Sequence, residues 1–232
     1  PAGENIYMLC KQLKEDNFHT DIIEVLRESN TEIEKQLMGL SRDDFSEVYL
    51  FFDYDGHQTN LEKTVHEDVI CQMLKSFDNE TENGKLYISY PMVEALRDYE
   101  PGKCGDGKEC FADIQELSTY KNISANRAYN PHFKEYDFEL WKQVIDVFAM
   151  RVSCLYKTSV VMEYEQYSNE VTPCEIYVRE TKEAEKQGVF VLSAFPEFLV
   201  DYSGVKLWKT SVKHTRNQMS ELECRKNWFQ KS

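Results

Sequence analysis

An unbroken run of apolar and aromatic residues at positions 48–52 is the strongest hydrophobic signal in the chain. Such a run, with no polar alternation, is typical of a strand that is buried on both faces in a parallel sheet. The run ends at Asp53 and Asp55, and Gly56 follows them. The pattern predicts a central strand with two carboxylates at its carboxyl end, where α/β sheets bind their ligands.

Other segments show the periodicities of helices and strands. Apolar residues spaced along one face predict helices over residues 4–16, 61–77, 92–99, 138–156 and 177–187. Short β-branched or aromatic runs predict strands over residues 21–26, over residues 85–91 and from residue 188 onwards. Alternating strands and helices are typical of an α/β fold with a mostly parallel sheet flanked by helices.

The alternation of strands and helices breaks after residue 100 and resumes at residue 188. The intervening stretch contains a loop rich in Gly, Lys and Cys, a segment rich in Tyr and Asn, and a long amphipathic helix. We therefore predict three parts: an α/β core over residues 1–100, a helical insertion or subdomain over residues 101–187, and a return to the core with a C-terminal tail over residues 188–232.

The composition is that of a folded, acidic protein. With 14 Tyr and 13 Phe among 232 residues, the chain can bury a sizeable core. Its formal charge of −14 repels nucleic acid and anionic membranes unless a bound cation reverses the sign locally. Apolar runs of about 18 residues and a secretory leader are missing, so the expectation is a cytoplasmic protein with no membrane partner. Seven cysteines without framework spacing are by default reduced thiols.

Asp53 and Asp55 are the first candidates for chemistry. Two carboxylates two residues apart suit a hard divalent cation, Mg²⁺ or Mn²⁺, that prefers oxygen ligands. The alternative interpretation is a solvated turn, since Asp and Gly are common turn formers. His57 also has two interpretations, as a residue that assists proton transfer and as a solvent-facing turn histidine.

Three features occur in order within the first hundred residues. An acidic residue near the start precedes the strand that ends in Asp53-Tyr54-Asp55, and a later strand leads into Ser-Tyr-Pro-Met-Val-Glu-Ala-Leu at residues 89–96. This order resembles the Toprim fold and, within it, the bacterial OLD-like and RloB-like phage-defence nucleases. The block at residues 89–96 is similar to the Asn-Pro-x-Phe-Glu-x-Trp block of the RloB-like group. The resemblance covers residues 1–100, with residues 189–199 as a further match.

The resemblance implies a metal-dependent phosphodiesterase that acts on DNA or RNA in bacterial phage defence. At the matching positions, Glu4, Asp53 and Asp55 would be catalytic residues and ligands of Mg²⁺ or Mn²⁺. For Glu4 the alternative is a glutamate at a helix start, where the helix dipole favours negative charge. The implied partners are a nucleic acid substrate and a protein partner or fused domain of the defence system.

Residues close to these carboxylates in the sequence extend the candidate site. Glu94 follows the neighbouring strand and is a further candidate metal ligand, with a solvated helix residue as the alternative. Displacement at phosphorus also requires positive charge that stabilises the phosphate. Lys85 and Arg97 are the candidate substrate-binding residues for this role.

Two other functions stay open. The sequence Asp53-Tyr54-Asp55-Gly56 also resembles the Asp-x-Asp-Gly-Thr signature of haloacid-dehalogenase-type phosphatases, although His57 stands where that signature has Thr. In such an enzyme Asp53 would be the nucleophile and Asp55 the acid/base. The third function is that of a non-catalytic, acidic α/β interaction module in a defence complex.

Overall fold

The computed structural model describes residues 6–15, 17–18, 21–29, 31–54, 63–100, 110–127, 129, 132–158, 160–184 and 188–213. Its architecture is mixed α/β and mainly helical. The α-helices are α1 Ile6–Lys14, α2 Ile22–Ser29, α3 Thr31–Leu37, α4 Lys63–Ser76, α5 Tyr120–Arg127, α6 Phe138–Leu155, α7 Tyr164–Glu170, α8 Pro173–Ala184 and α9 Ala194–Ser211. The strands are β1 Tyr49–Asp53, β2 Asp78–Asn79, β3 Gly84–Ser89, β4 Phe111–Asp113 and β5 Gly188–Phe190. Short 3-10 helices lie at Arg42–Asp44, Val93–Asp98, Leu117–Thr119 and Phe133–Glu135.

The strands of the described residues form two small sheets, one with the order β1-β3-β2 and one that pairs β4 with β5. The N–H of Lys85 donates to the carbonyl of Val48, and the N–H of Tyr54 donates to the carbonyl of Ser89. The hydrogen-bond partners advance in the same direction along both strands, so β1 and β3 are parallel.

The prediction of a mostly parallel sheet is wrong outside the β1–β3 pair. β2 pairs with β3 in antiparallel register, and so does β4 with β5. Residues 80–83 alone connect β2 to β3. Because a parallel crossover needs a dozen or more residues, so short a connection forces an antiparallel hairpin.

Two strand predictions need correction. Residues 21–26 were expected to form a strand, but α2 occupies Ile22–Ser29. The carboxylate of Asp21 accepts hydrogen bonds from the N–H of Ile23 at 2.9 Å and from that of Arg42 at 2.6 Å, so it caps the start of this helix. β1 was expected to be buried on both faces, yet Phe51 is 37 % exposed. The reason is that β1 lies at one end of the strand order β1-β3-β2.

The remaining element predictions agree with the structure or shift by a few residues. The helices expected over residues 4–16, 61–77 and 138–156 are confirmed as α1, α4 and α6. The helix expected over residues 177–187 begins earlier, as α8 at Pro173, and the segment at 92–99 is a 3-10 helix. The strands expected at 85–91 and from 188 are confirmed as β3 and β5.

The contacts divide the chain into two compact units. Unit 1 comprises Pro1–Phe52 with Gln58–Tyr87, and unit 2 comprises Asp53–His57 with Ile88–Ser232. In unit 1, α1 packs against α2 and α4. In unit 2, α6 packs against α8 and α9, and its central residues are buried. The predicted boundaries at residues 100 and 187 stay a prediction.

Among the described residues, no helix is long and apolar enough to cross a membrane. α9 has the length of such a helix, but Gly204 interrupts it with a non-helical conformation at φ +67°. This positive φ suits glycine, which has no Cβ.

Candidate functional site

Asp53 is the last residue of β1, and its side chain is exposed. Its Oδ1 accepts a hydrogen bond of 2.7 Å from the backbone N–H of Val93, the first residue of the 3-10 helix Val93–Asp98. The N–H of Tyr54 donates to the carbonyl of Ser89, the last residue of β3. Asp53 therefore lies where the parallel strands β1 and β3 both end. Ligands of α/β proteins bind at this edge of the sheet.

Glu94 lies one residue beyond the N–H that contacts Asp53. Its side chain is buried, with 9 % exposed, so the alternative of a solvated helix residue does not hold. Glu94 Oε1 lies 3.1 Å from Nζ of Lys121, and its carbonyl accepts a hydrogen bond of 3.0 Å from Ser124 Oγ. Both partners belong to α5. A buried carboxylate requires such a cationic partner to offset its desolvation, and Lys121 provides it here.

The two candidate substrate-binding residues lie on different elements. Lys85 belongs to β3 in unit 1, and its Nζ is 5.5 Å from the centre of the Tyr87 ring. Arg97 lies in the 3-10 helix Val93–Asp98, the same segment that contacts Asp53. Its guanidinium carbon is 5.4 Å from the centre of the Phe133 ring. Arg97 therefore shares a segment with the residue that contacts Asp53, and its guanidinium group lies over Phe133.

Three other candidates, Glu4, Asp55 and His57, lie outside the described residues. Among the residues that the structure describes, no group of three or more His, Cys, Asp or Glu side chains could hold a metal ion. Of the four predicted metal ligands, the structure describes Asp53 and Glu94. An exposed carboxylate at a strand end has the oxygen chemistry that Mg²⁺ and Mn²⁺ prefer, so the donor type at Asp53 fits such an ion.

A group of packed tyrosines lies next to Asp53, and the sequence patterns did not indicate it. The centre of the Tyr54 ring is 5.2 Å from that of Tyr90 and 6.4 Å from that of Tyr177. Tyr90 is 1 % exposed, and its hydroxyl has no hydrogen-bond partner among the described residues. Tyr177 belongs to α8, so its contact with Tyr54 joins parts of the chain that are far apart in sequence.

Two buried carboxylates belong to the surroundings of Tyr90. Glu180 on α8 accepts hydrogen bonds of 3.1 Å from the N–H of Phe190, and Glu197 lies in the first turn of α9. Burial raises the pKa of the Tyr90 hydroxyl well above its usual value, and the negative charges of Glu180 and Glu197 raise it further. The phenol therefore keeps its proton throughout the physiological pH range.

The end of β3 is held by residues at the start of α9. The backbone groups of Tyr90 and Leu192 exchange two hydrogen bonds of 2.6 and 2.8 Å. The N–H of Ala194 donates to Ser89 Oγ at 3.2 Å, and the N–H of Ser193 donates to the Tyr99 hydroxyl at 2.8 Å. The one sequence signal for this contact is that residues 188–196 repeat the strand-Ser-aromatic-Pro pattern of residues 86–91.

Comparison with known proteins adds no relative. The chain matches no protein-family model, no curated protein and no solved structure. Its function is therefore inferred from the residues and contacts described above.

Proposed function

We propose that this protein is a Toprim-type phosphodiesterase that cuts nucleic acid with Mg²⁺ or Mn²⁺ and acts in bacterial phage defence. The observation that carries the proposal is the position of Asp53 at the joint carboxyl end of β1 and β3, with its carboxylate fixed by the N–H of Val93. Ligand-binding residues of parallel α/β sheets lie at this edge. The order of motifs in the sequence supports the same class.

The proposed site assigns a role to each candidate. Asp53, Asp55 and Glu4 would hold the cation, with Glu94 as a further ligand. A bound divalent cation polarises a phosphoryl oxygen and lowers the pKa of a coordinated water. The hydrogen bond from Val93 holds Oδ1 of the Asp53 carboxylate, so less order would have to be gained when the site fills.

Positive charge for the phosphate would come from Arg97. Its segment begins at the residue that contacts Asp53, and the guanidinium group can offer paired N–H donors to phosphate oxygens. Lys85 is the second candidate and would act as a point charge. The net charge of the whole chain repels a phosphodiester. The positive charges of these two side chains would offset that repulsion locally and orient the phosphodiester.

The test compares nucleic acid cleavage by the wild type and by the Asp53→Asn/Asp55→Asn double variant. Plasmid DNA, single-stranded DNA and total RNA are each incubated with Mg²⁺ or Mn²⁺. We expect metal-dependent cutting by the wild type and its loss in the double variant. Mn²⁺ affinity should weaken at least about tenfold, since even changes to groups that only support metal ligands cost that much.

Asp113→Asn is the matched control. Asp113 also ends a strand, β4, is exposed, and accepts a hydrogen bond of 2.9 Å from a backbone N–H, that of Gln115. Its variant should cut like the wild type. Equal cutting by the double variant would remove the proposal, and turnover of small phosphate esters without cutting of nucleic acid would favour the phosphatase.

A further inference from the structure

Lys121 on α5 covers the buried carboxylate of Glu94. Its Nζ lies 3.1 Å from Oε1 of Glu94, and the two side chains differ in exposure, with 71 % of Lys121 and 9 % of Glu94 accessible to solvent. The lysine carries its charge at the end of a flexible stem and approaches the carboxylate from the solvent side. A cation that comes from solvent to Glu94 therefore meets the ammonium group of Lys121 first.

The attachment of α5 does not depend on this ion pair. Ser124 Oγ donates to the carbonyl of Glu94 at 3.0 Å, and the hydroxyl of Tyr120 donates to Oδ2 of Asp98 at 2.5 Å. Both hydrogen bonds join α5 to the 3-10 helix Val93–Asp98 without the Lys121 side chain. They would hold the helix in place if the lysine moved away. The ion pair therefore neutralises Glu94 and is not needed to dock α5.

Glu94 and Asp53 are held by the same short segment. The N–H of Val93 donates to Oδ1 of Asp53 at 2.7 Å, and Glu94 is the next residue. Consecutive Cα atoms are about 3.8 Å apart, so this segment brings the backbone of Glu94 to the edge of the sheet where Asp53 lies. Both side chains offer the carboxylate oxygens that Mg²⁺ and Mn²⁺ prefer.

A divalent cation and the ammonium group of Lys121 would compete for Glu94. A buried carboxylate needs a positive partner, and either cation supplies one. Both together would place like charges at one carboxylate, and such repulsion is strong at short distance. Lys121 is mostly exposed, so its strongly hydrated ammonium group can return to water, whereas Glu94 stays buried.

We propose that Lys121 is a displaceable counter-ion, which neutralises Glu94 until Mg²⁺ or Mn²⁺ binds there. The inference rests on the proposed function, since it takes Glu94 as a metal ligand, and it adds a residue that regulates how tightly the cation is held. The charge of Lys121 stabilises the metal-free protein and weakens metal binding. Its removal should therefore destabilise the metal-free protein and tighten metal binding, two effects that a purely structural ion pair does not combine.

The test measures Mn²⁺ affinity and thermal stability in the absence of nucleic acid. In calorimetric titrations with Mn²⁺ alone, we expect Lys121→Gln to bind about tenfold more tightly than the wild type, because a repelling charge is gone. Without metal, the melting temperature of Lys121→Gln should lie below that of the wild type. Saturating Mn²⁺ should narrow this difference, since a ligand that binds the folded state more tightly stabilises it more.

Two lysine variants are the matched controls. Lys121→Arg keeps the positive charge, so it should bind Mn²⁺ no more tightly than the wild type. Lys142 also pairs with a glutamate, since its Nζ lies 2.6 Å from Oε1 of Glu139, which is 70 % exposed. Lys142→Gln removes this pair and leaves Glu94 unchanged, so Mn²⁺ affinity should stay that of the wild type.

A double variant covers the case in which Lys121→Gln is too unstable to titrate. Lys121→Gln/Glu94→Gln removes the buried negative charge together with its partner. It should melt above Lys121→Gln in the absence of metal, because no unpaired charge is left inside. It should also bind Mn²⁺ more weakly than the wild type, because it lacks the Glu94 carboxylate. Tight Mn²⁺ binding by this double variant would overturn the inference.

The outcomes separate this inference from the proposed nuclease. Tighter Mn²⁺ binding by Lys121→Gln that is lost when Asp53→Asn is added supports the inference, even if nucleic acid is not cut and the nuclease is removed. Mn²⁺ binding that depends on Asp53 but is unchanged or weaker in Lys121→Gln overturns the inference alone. A stability difference that saturating Mn²⁺ does not narrow also overturns it. Absence of Mn²⁺ binding by both the wild type and Lys121→Gln overturns the inference and the proposed metal site together.

Discussion

Arg151 is a buried charge that joins three segments of unit 2. Its side chain is fully buried in α6. Nη1 donates to the carbonyl of Val191 at 2.8 Å, and Nη2 donates to that of Asp98 at 2.6 Å. The guanidinium carbon lies 4.4 Å from the centre of the Tyr99 ring. Arg151 thus links α6 to the chain after β5 and to the end of the 3-10 helix that begins at Val93.

Replacement of Arg151 should destabilise the protein strongly. Arg151→Met removes the donors to a buried carbonyl, that of Val191, and to a partly buried one, that of Asp98. We therefore expect the free energy of unfolding to fall by about 2 to 5 kcal/mol. Urea denaturation measures the change. Lys206→Met, at an exposed position of α9, should change the free energy of unfolding by less than about 0.5 kcal/mol. Coincident midpoints for the two variants would contradict the assigned role of Arg151.

Single residues differ in how far the sequence predicts their surroundings. Asp53 could be located because the apolar run before it defines a strand and its end. The burial of Glu94 could not, because the cation that permits it is Lys121, on another element. The same holds for Tyr90 and Glu180, which are far apart in the chain and come together only in the folded unit 2. Periodicity describes the faces of one element and carries no information on such partners.

At the scale of elements, the least predictable segment is the start of α2. Residues 21–26 contain three β-branched residues, which favour a strand, but the same residues also fit one face of a helix. In the structure Ile22, Ile23 and Val25 belong to helix α2, and their side chains are buried. The hydrogen bond from the N–H of Arg42 to Asp21 supports the start of the helix, and it joins residues 21 positions apart. The long periodic helices α4 and α6 needed no such partner.

Gly188 in β5 lies so close to β4 that no side chain fits at this position. A Cβ at this position would lie 2.1 Å from the carbonyl oxygen of Ala112 and 2.7 Å from a ring carbon of Phe111. The oxygen belongs to the backbone of β4, so it cannot move without disturbing the strand pair. We expect Gly188→Ala to lower the free energy of unfolding by about 3 kcal/mol or more, measured by urea denaturation.

A second glycine serves as the comparison for Gly188. Gly39 has φ +80°, and a Cβ there would meet no atom within 4 Å. Gly39→Ala should therefore cost only the backbone strain, about 1 to 2 kcal/mol. A Gly188→Ala variant as stable as the Gly39→Ala variant would show that β4 and β5 are not held at this distance.

At the scale of the whole molecule, buried and half-buried tyrosines should make the protein less stable at alkaline pH. Burial raises the pKa of Tyr136 to about 12, with Arg97 opposing the shift, and burial also raises that of Tyr90 and Tyr156. In the unfolded chain these hydroxyls ionise near pH 10. Above about that pH the unfolded state loses protons that the native state keeps, so the free energy of unfolding falls as pH rises.

Urea denaturation between about pH 8 and 11.5 checks this expectation. The midpoint should be level up to about pH 9 and then decrease, and Tyr136→Phe should reduce the slope at the alkaline end. An absorbance titration of tyrosinate in the native protein should show these side chains ionising after the exposed tyrosines. A midpoint that stays constant to about pH 11.5 would contradict the raised pKa values of the three hydroxyls.

The arrangement into units was the feature least accessible from the sequence. The sequence suggests that residues 1–100 act together, because strands and helices alternate there. The contacts assign Asp53–His57 to the unit that contains Ile88–Ser232, apart from the strand residues before them. The reason lies in the partners of Asp53 and Tyr54, which are Val93, Ser89 and α8. Continuity along the chain does not determine which residues pack together.

The hydrogen bond between Ser89 and Ala194 also sets an order of events during biosynthesis. Its partners are 105 residues apart, so at about 5–20 residues per second the ribosome needs roughly 5 to 20 s to add the second after the first. Until then Ser89 and Tyr90, at the end of β3, lack their hydrogen-bond partners Ala194 and Leu192. The contact between the end of β3 and the start of α9 therefore forms only after residue 194 has been synthesised.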